Sequence, residues 1–240
     1  MKYLPITALA FLALMPQPVA AWDSASSLNP THATHSYLTE HGIAMVGGEA
    51  KRYAQALIDG ANTELHELDS DDGKTMYGVP LGAKRIEHKG TNAGTDDIAG
   101  WWADAAAAYR AGHKEQAWFY AGIMLHMIED IGVPAHALGQ YHQATGPIDT
   151  FELMGFSNWR PDYADKGNKA DPGFADPSDY YAFNRQWARE DAPDYSPDNF
   201  SKTWTFGDEK DKKLLANRQA RTAELVGWTL RSVERAFAKL

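Results

Sequence analysis

The chain has 240 residues, of which 44% are apolar, 23% are charged and none is cysteine. This length fits one ordinary globular domain, and the absence of low-complexity polar tracts excludes a disordered chain. The lack of cysteine excludes disulfides and thiolate metal sites, so any metal ion must be held by nitrogen and oxygen atoms. The formal charge of −9 disfavours binding to nucleic acid by general electrostatic attraction to its phosphates. It is compatible with metal-dependent cleavage of phosphate esters.

Residues 1–21 have the layout of a secretory signal peptide. Lys2 precedes an apolar run at residues 6–15, and the segment ends in small residues at Ala21. The apolar run is about half of the roughly 20 residues that cross a bilayer, which disfavours an uncleaved anchor. Cleavage after Ala21 would make Trp22 the first residue of the mature protein. We therefore expect a secreted or periplasmic protein without a transmembrane segment.

From residue 34 onward the mature chain, residues 22–240, is predicted to be a single all-α domain, a multi-helix bundle. Helix-favouring residues and apolar spacing predict helices at 49–58 before Gly60, 97–111 before Gly112, 114–131 before Gly132 and Pro134, and 211–240. The helix at 114–131 is apolar on most sides and should lie at the centre, whereas the helix at 211–240 should pack along the outside. Residues 158–201 are rich in Pro, Asp, Tyr, Asn and Gly, and are predicted to be an irregular surface segment with one helix near 178–189.

The most informative segment, residues 125–137, reads Leu-His-Met-Ile-Glu-Asp-Ile-Gly-Val-Pro-Ala-His-Ala. His126 and Asp130 are four residues apart and share one helix face, so an imidazole and a carboxylate can reach the same Zn²⁺. His136 follows the turn at Pro134 and can approach from the side. An ordinary surface hydrogen-bonded pair has the same spacing. Burial favours the metal site, because buried polar groups are costly unless they are paired or bound to metal.

Further candidate ligands lie on both sides of this segment. His35 begins the first helix of the mature chain, His66 lies within Glu-Leu-His-Glu-Leu-Asp at residues 64–69, and Glu152 follows downstream. Each residue alone is better explained as an exposed polar side chain. Their occurrence together around the central helix strengthens the case for a metal site.

These motifs resemble those of bacterial zinc-dependent phospholipase C, the trinuclear-zinc type that prefers phosphatidylcholine. The resemblance runs from Trp22 to the C-terminal helix and is closest over residues 114–137. There the family pattern is followed by Gln-Ala-Trp-Phe-Tyr-Ala-Gly at 116–122, Leu125-His126, Asp130 and Pro-Ala-His-Ala at 134–137. Trp22 matches the N-terminal tryptophan of the family, and residues 66–71 match its His-x-x-Asp-x-Asp block. Residues 22–240 would thus form the catalytic domain.

The resemblance implies up to three zinc ions. One ion would be held by His126, His66 and an upstream carboxylate. A second would be held by His35 and by the amine and carbonyl of Trp22. Asp130 would bridge these two ions and so contribute directly to catalysis.

The third ion would lie at His136 and Glu152, where the chain departs from the family pattern. The family has a histidine four residues before Glu152, and this chain has Ile148 there. His142 or Asp149 would supply the missing ligand, or this ion would be weakly held.

The upstream carboxylate is a second departure, because the segment before His66 is short here. Glu64 or Asp59 would have to serve, and Glu64 is favoured. By the resemblance, this carboxylate would also act as general base beside the metal-bound water.

The implied function is hydrolysis of the glycerol-side phosphate ester of phospholipids, giving diacylglycerol and a phosphorylated head group. The expected enzyme is a monomer that acts at a membrane surface and has no stable nucleic acid partner.

A zinc-dependent single-strand nuclease or nucleotidase of the same fold is the alternative. The acidic charge and the long spacing from Trp22 to His35 favour the lipase, because those nucleases place their first histidine only a few residues after the terminal tryptophan. A non-enzymatic binding module would leave the clustered ligand residues unexplained.

Aromatic residues of the irregular segment have two possible roles. They could rest at a lipid interface, or they could simply cover the bundle. The residues in question are Tyr163, Phe174, Tyr180, Tyr181 and Trp187.

Overall fold

A computed structural model describes residues 34–62, 75–80, 95–139, 150–163, 170–192 and 204–240. The fold is all-α, as the sequence predicted, with one hairpin of two short antiparallel strands. The helices are α1 (Thr34–Val46), α2 (Gly48–Arg52), α3 (Ala54–Ala61), α4 (Thr95–Arg110), α5 (Lys114–Asp130), α6 (Pro134–Ala137), α7 (Thr150–Ser157), α8 (Asp179–Asp191) and α9 (Glu209–Phe237), and the strands are β1 (Thr75–Met76) and β2 (Val79–Pro80). Among these helices, none is both long enough and apolar enough to span a bilayer.

Helix α5 lies at the centre of the bundle, as the apolar pattern at 114–131 predicted. Every residue from 121 to 130 is buried, and so are Trp118 and Phe119 nearer its start. Helices α3 and α4 pack along it, and α1, α8 and α9 also contact it. Because α5 is enclosed on nearly all sides, its polar residues at the C-terminal end are held inside the protein.

Helices α3 and α5 pack closely against each other where two glycines, Gly60 and Gly122, face the opposite backbone. A Cβ at Gly60 would lie 2.3 Å from the carbonyl oxygen of Phe119, and one at Gly122 would lie 2.3 Å from that of Leu57. The predicted end at Gly60 lies one residue before the observed end of α3 at Ala61. Gly60 lacks a side chain, so the two backbones can meet in the last turn of α3. The helix predicted at 49–58 is interrupted at Tyr53, which separates α2 from α3.

Helix α9 is more deeply buried than an outer helix. Residues 225–230 are all buried, and the helix packs mainly against α1. At this contact a Cβ on Gly42 would lie 2.6 Å from a methyl group of Val226. The predicted position along the outside is wrong for the middle of α9, because apolar residues there cover more than one face.

The aromatic residues of α8 belong to the core. Tyr180, Tyr181 and Trp187 are all at most 4% exposed, so the lipid-interface role considered for them is wrong. The ring of Trp187 packs edge-on against Trp228 of α9 at 5.7 Å. Phe174 is half-buried against this cluster. The side chain of Tyr163 lies outside the described residues.

Candidate metal centre

His35, His126 and Asp130 come together in the interior, where α1 meets the C-terminal end of α5. His35 is the second residue of α1, and the other two residues lie one turn apart on α5. All three are at most 4% exposed, and one ligand atom from each lies within 4.8 Å of the others. The Nε2 atom of His35 is 3.2 Å from Oδ1 of Asp130, and the Nε2 atom of His126 is 3.3 Å from Oδ2. We call these three residues the candidate centre.

Each imidazole makes a hydrogen bond through Nδ1, the ring nitrogen that does not face Asp130. The Nδ1 atom of His126 donates to the carbonyl oxygen of Ala61 at 2.8 Å, at the end of α3. The Nδ1 atom of His35 donates to Oε2 of Glu129 at 2.5 Å, and the hydroxyl of Thr39 donates to the other oxygen of Glu129 at 2.9 Å. A carbonyl and a carboxylate only accept hydrogen bonds, so Nδ1 carries the proton in each ring. The Nε2 atom of each ring therefore faces Asp130, and in its neutral form each imidazole can offer the lone pair of Nε2 to a metal ion.

His35 and Asp130 shift each other's pKa in this buried group. Burial by itself would lower the pKa of His35, but its hydrogen bonds to Asp130 and Glu129 raise that pKa well above its usual value. Burial would raise the pKa of Asp130, but the charges and hydrogen bonds of His126 and His35 hold it well below its usual range. These directions favour a protonated His35 beside an ionised Asp130, and a metal ion bound at Nε2 of His35 would have to displace that proton.

The donor set fits a divalent ion such as zinc. Two imidazole nitrogens and a carboxylate oxygen are common zinc ligands, and three protein ligands leave a position for water. Metal-binding histidines usually donate their second nitrogen to a carboxylate or a carbonyl, which orients the ring. Glu129 and Ala61 provide these two acceptors. The candidate centre can therefore hold a metal ion.

Several predicted ligands lie outside the described residues. These are Trp22, Glu64, His66 and His142, together with the side chain of Glu152 on α7. Their roles stay predictions. His136 lies half-buried on α6, and among the described residues it is not part of the group that converges on Asp130.

Asp59 is the alternative to Glu64 for the upstream carboxylate, and its side chain is described. It lies on α3, where it accepts hydrogen bonds from the hydroxyl of Tyr77 at 2.5 Å and from Nε2 of Gln55 at 2.7 Å. The contact with Tyr77 ties α3 to the hairpin of β1 and β2, whereas the contact with Gln55 lies within α3. The choice between Glu64 and Asp59 stays open.

Sequence reasoning did not assign a role to Glu129 or Thr39. Glu129 is 0% exposed, and burial raises its pKa although His35 and Thr39 act in the opposite direction. The sequence does contain a clue, because a glutamate beside Asp130 in an apolar helix has to find a partner inside the protein. Thr39 is one helical turn after His35 and so shares its face of α1.

No family model and no curated protein matches this chain. The interpretation of the centre therefore rests on its own geometry and on the motifs of the sequence.

Proposed function

We propose that this protein is a secreted zinc-dependent phosphodiesterase that hydrolyses the glycerol-side phosphate ester of phospholipids, with phosphatidylcholine as substrate. The observation that carries the proposal is the buried convergence of His35, His126 and Asp130. The resemblance to zinc-dependent phospholipase C assigned all three residues to metal binding, although they come from two helices far apart in the sequence. An interior group of this kind is the usual mark of a metal or catalytic site.

The geometry of Asp130 supports a carboxylate shared between two ions. Each of its oxygens faces a different imidazole, Oδ1 towards His35 and Oδ2 towards His126, at 3.2 and 3.3 Å. The resemblance places His35 and His126 on different ions and Asp130 between them. A carboxylate with one oxygen directed to each histidine suits that role.

In this proposal the chain's own residues bind the metal ions, orient the two imidazole rings and exclude bulk water. His35 and His126 offer Nε2, while Glu129 and the carbonyl of Ala61 hold the two rings in place. Zinc bound here would supply a Lewis acid for the phosphate oxygens and would lower the pKa of a bound water. The charge of −9 disfavours a polyanionic substrate, which supports a phospholipid over single-stranded nucleic acid.

The proposal is tested with protein purified after secretion from a bacterial host. Metal content is measured by mass spectrometry, and hydrolysis is assayed on vesicles of phosphatidylcholine or sphingomyelin and on single-stranded DNA. We expect bound zinc and release of phosphocholine from phosphatidylcholine. His126→Ala should abolish the activity, whereas His113→Ala, an exposed histidine just before the same helix, should retain it. Cleavage of DNA but not lipid would favour the nuclease, and protein without bound metal would contradict the proposal.

Asp130→Asn tests the shared carboxylate. It should lower activity and zinc content more than His35→Ala does, because one substitution weakens both ions. Zinc content equal to that of the parent would contradict a bridging role.

A further inference from the structure

Arg218 of α9 is a buried cation near the candidate centre that the proposed chemistry does not use. Its side chain is 0% exposed, and three of its nitrogens are hydrogen-bonded. The Nε atom donates to the carbonyl oxygen of Gly132 at 2.8 Å. The two terminal nitrogens donate to Asp191 at 2.8 Å and to Oδ1 of Asn184 at 2.6 Å, both on α8. Arg218 therefore joins α8 and α9 to the turn that follows α5.

Other side chains of α8 bind the same stretch of backbone. The Nδ2 atom of Asn184 donates to the carbonyl oxygen of Ile128 at 2.7 Å. The Nε atoms of Arg185 and Arg189 donate to the carbonyl oxygen of Ala137 at 3.1 and 2.7 Å. We call this set the carbonyl clamp, and its members are Asn184, Arg185, Arg189 and Arg218.

The carbonyl clamp acts on the segment that carries the ligands. The last carbonyls of a helix have no partner within the helix and must find one elsewhere. Here the bound carbonyls at residues 128 and 132 lie two residues before and two residues after Asp130. The bound carbonyl at residue 137 directly follows His136. The hydrogen bonds therefore limit movement of the backbone on both sides of Asp130.

The close packing of this turn is a second observation that supports the same role. A Cβ at Gly132 would lie 2.5 Å from the hydroxyl of Thr222, 2.8 Å from the carbonyl oxygen of Glu129 and 3.1 Å from Nδ2 of Asn184. Helices α8 and α9 thus press against the end of α5 with no room for a side chain. Small displacements of the clamp are transmitted to the backbone of the turn, because closely packed interiors do not deform freely.

Stability alone is a poor explanation for a buried guanidinium. Replacing a buried ion pair by well-packed apolar residues is often neutral or stabilising. A guanidinium does offer several donors in one rigid plane, which fixes the relative positions of its partners. Arg218 uses this property to hold Gly132, Asn184 and Asp191 in a single arrangement.

We propose that Arg218 is a positioning residue of the metal centre, which acts through the carbonyls around Asp130 to set the direction of its carboxylate. The inference rests on the proposed function only in that the candidate centre binds a metal ion. Outer partners of metal ligands typically change metal affinity by about 10-fold to 100-fold when they are lost. Arg218 contacts the backbone beside Asp130 and not a ligand side chain, so the lower end of this range is expected when its planar set of donors is lost.

The test compares Arg218→Lys with the parent protein. Lysine keeps the charge but cannot bind three partners in one plane. Zinc affinity is measured by competition with a chromophoric chelator, and the visible absorption of the cobalt-substituted protein reports ligand geometry. We expect zinc affinity to fall about tenfold and the cobalt spectrum to change. Arg231→Lys, at an exposed position on the same helix, should change neither.

A structural role alone would give a different result. Urea unfolding of the metal-free variant measures its stability separately. An Arg218→Lys protein of reduced stability that keeps the parental zinc affinity and cobalt spectrum would overturn the inference.

A second variant keeps the test decisive if Arg218→Lys does not fold. The double substitution Arg185→Met and Arg189→Met removes both donors to the carbonyl of Ala137 at side chains that are not fully buried. It should weaken zinc binding and alter the cobalt spectrum in the same direction, and parental values would overturn the inference. A parent that binds neither zinc nor cobalt would instead overturn the proposed function, and the inference with it.

Discussion

At the scale of single residues, Glu129 has the clearest testable role. It accepts hydrogen bonds from His35 and Thr39, and it is 94 residues from His35 in the sequence. Glu129→Gln would remove the negative charge behind the imidazole and loosen its orientation. We expect zinc affinity to fall by about 10-fold to 100-fold, measured by chelator competition. Glu115→Gln, an exposed glutamate on the same helix, is the matched control and should retain the parental affinity.

The protonation of His35 predicts the pH dependence of metal binding. Its pKa in the metal-free protein lies well above the usual value, so the proton must leave before Nε2 can bind an ion. Metal affinity should therefore rise with pH through neutrality, by about tenfold per pH unit for each proton displaced. An unperturbed histidine would give a dependence that levels off above about pH 6.5. Cobalt titrations from about pH 6 to about pH 9 measure this, and an affinity that is constant above pH 7 would contradict the assignment.

At the scale of helices, the crossing of α3 and α5 holds one imidazole of the centre. The glycine contact at Gly60 and Gly122 brings the end of α3 to α5, where the carbonyl of Ala61 accepts from His126. Gly122→Ala should push the helices apart and lower the free energy of unfolding by about 1 to 3 kcal/mol. Zinc affinity should fall as well, because the hydrogen bond to Ala61 is lengthened.

Gly100→Ala is the matched substitution in α4. A Cβ there would have no neighbour within 4 Å among the described residues. Alanine favours a helix interior over glycine by about 1 kcal/mol, so this variant should be as stable as the parent or more so. Urea unfolding of both variants checks the pair. Equal effects at the two glycines would mean that the crossing tolerates a side chain.

Helix positions were largely predictable, for local reasons. The bounds of α5 and α4 follow from Gly112, Gly132 and Pro134, since glycine and proline end helices through their own backbone properties. Gly60 lies one residue before the end of α3, but it also makes a contact with another helix that this rule does not foresee. A glycine that serves packing has the same letter as one that ends a helix, and only its neighbours distinguish the two.

At the scale of the whole molecule, the centre links helices that are distant in the sequence. Zinc bound by His35 and His126 would join α1 to α5 only in the folded protein. By mass action, free zinc at about a thousandfold excess over its dissociation constant should add about 4 kcal/mol to the free energy of unfolding. Thermal unfolding with zinc or with chelator measures this shift. His126→Ala should show a smaller shift than the parent, because it loses one of the proposed ions, and a parent that is insensitive to both additions would contradict metal binding at this centre.

The sequence by itself determined the helical class, the central helix and the pairing of His126 with Asp130, because helical periodicity is a local property. Its motifs also named His35 as a ligand. Only the tertiary structure decided that His35 reaches Asp130, that Glu129 and Ala61 hold the two rings, and that Arg218 binds the turn beyond. It also decided that Trp187 lies in the core. These outcomes depend on which faces of different helices meet, and the spacing of residues within one helix does not encode that.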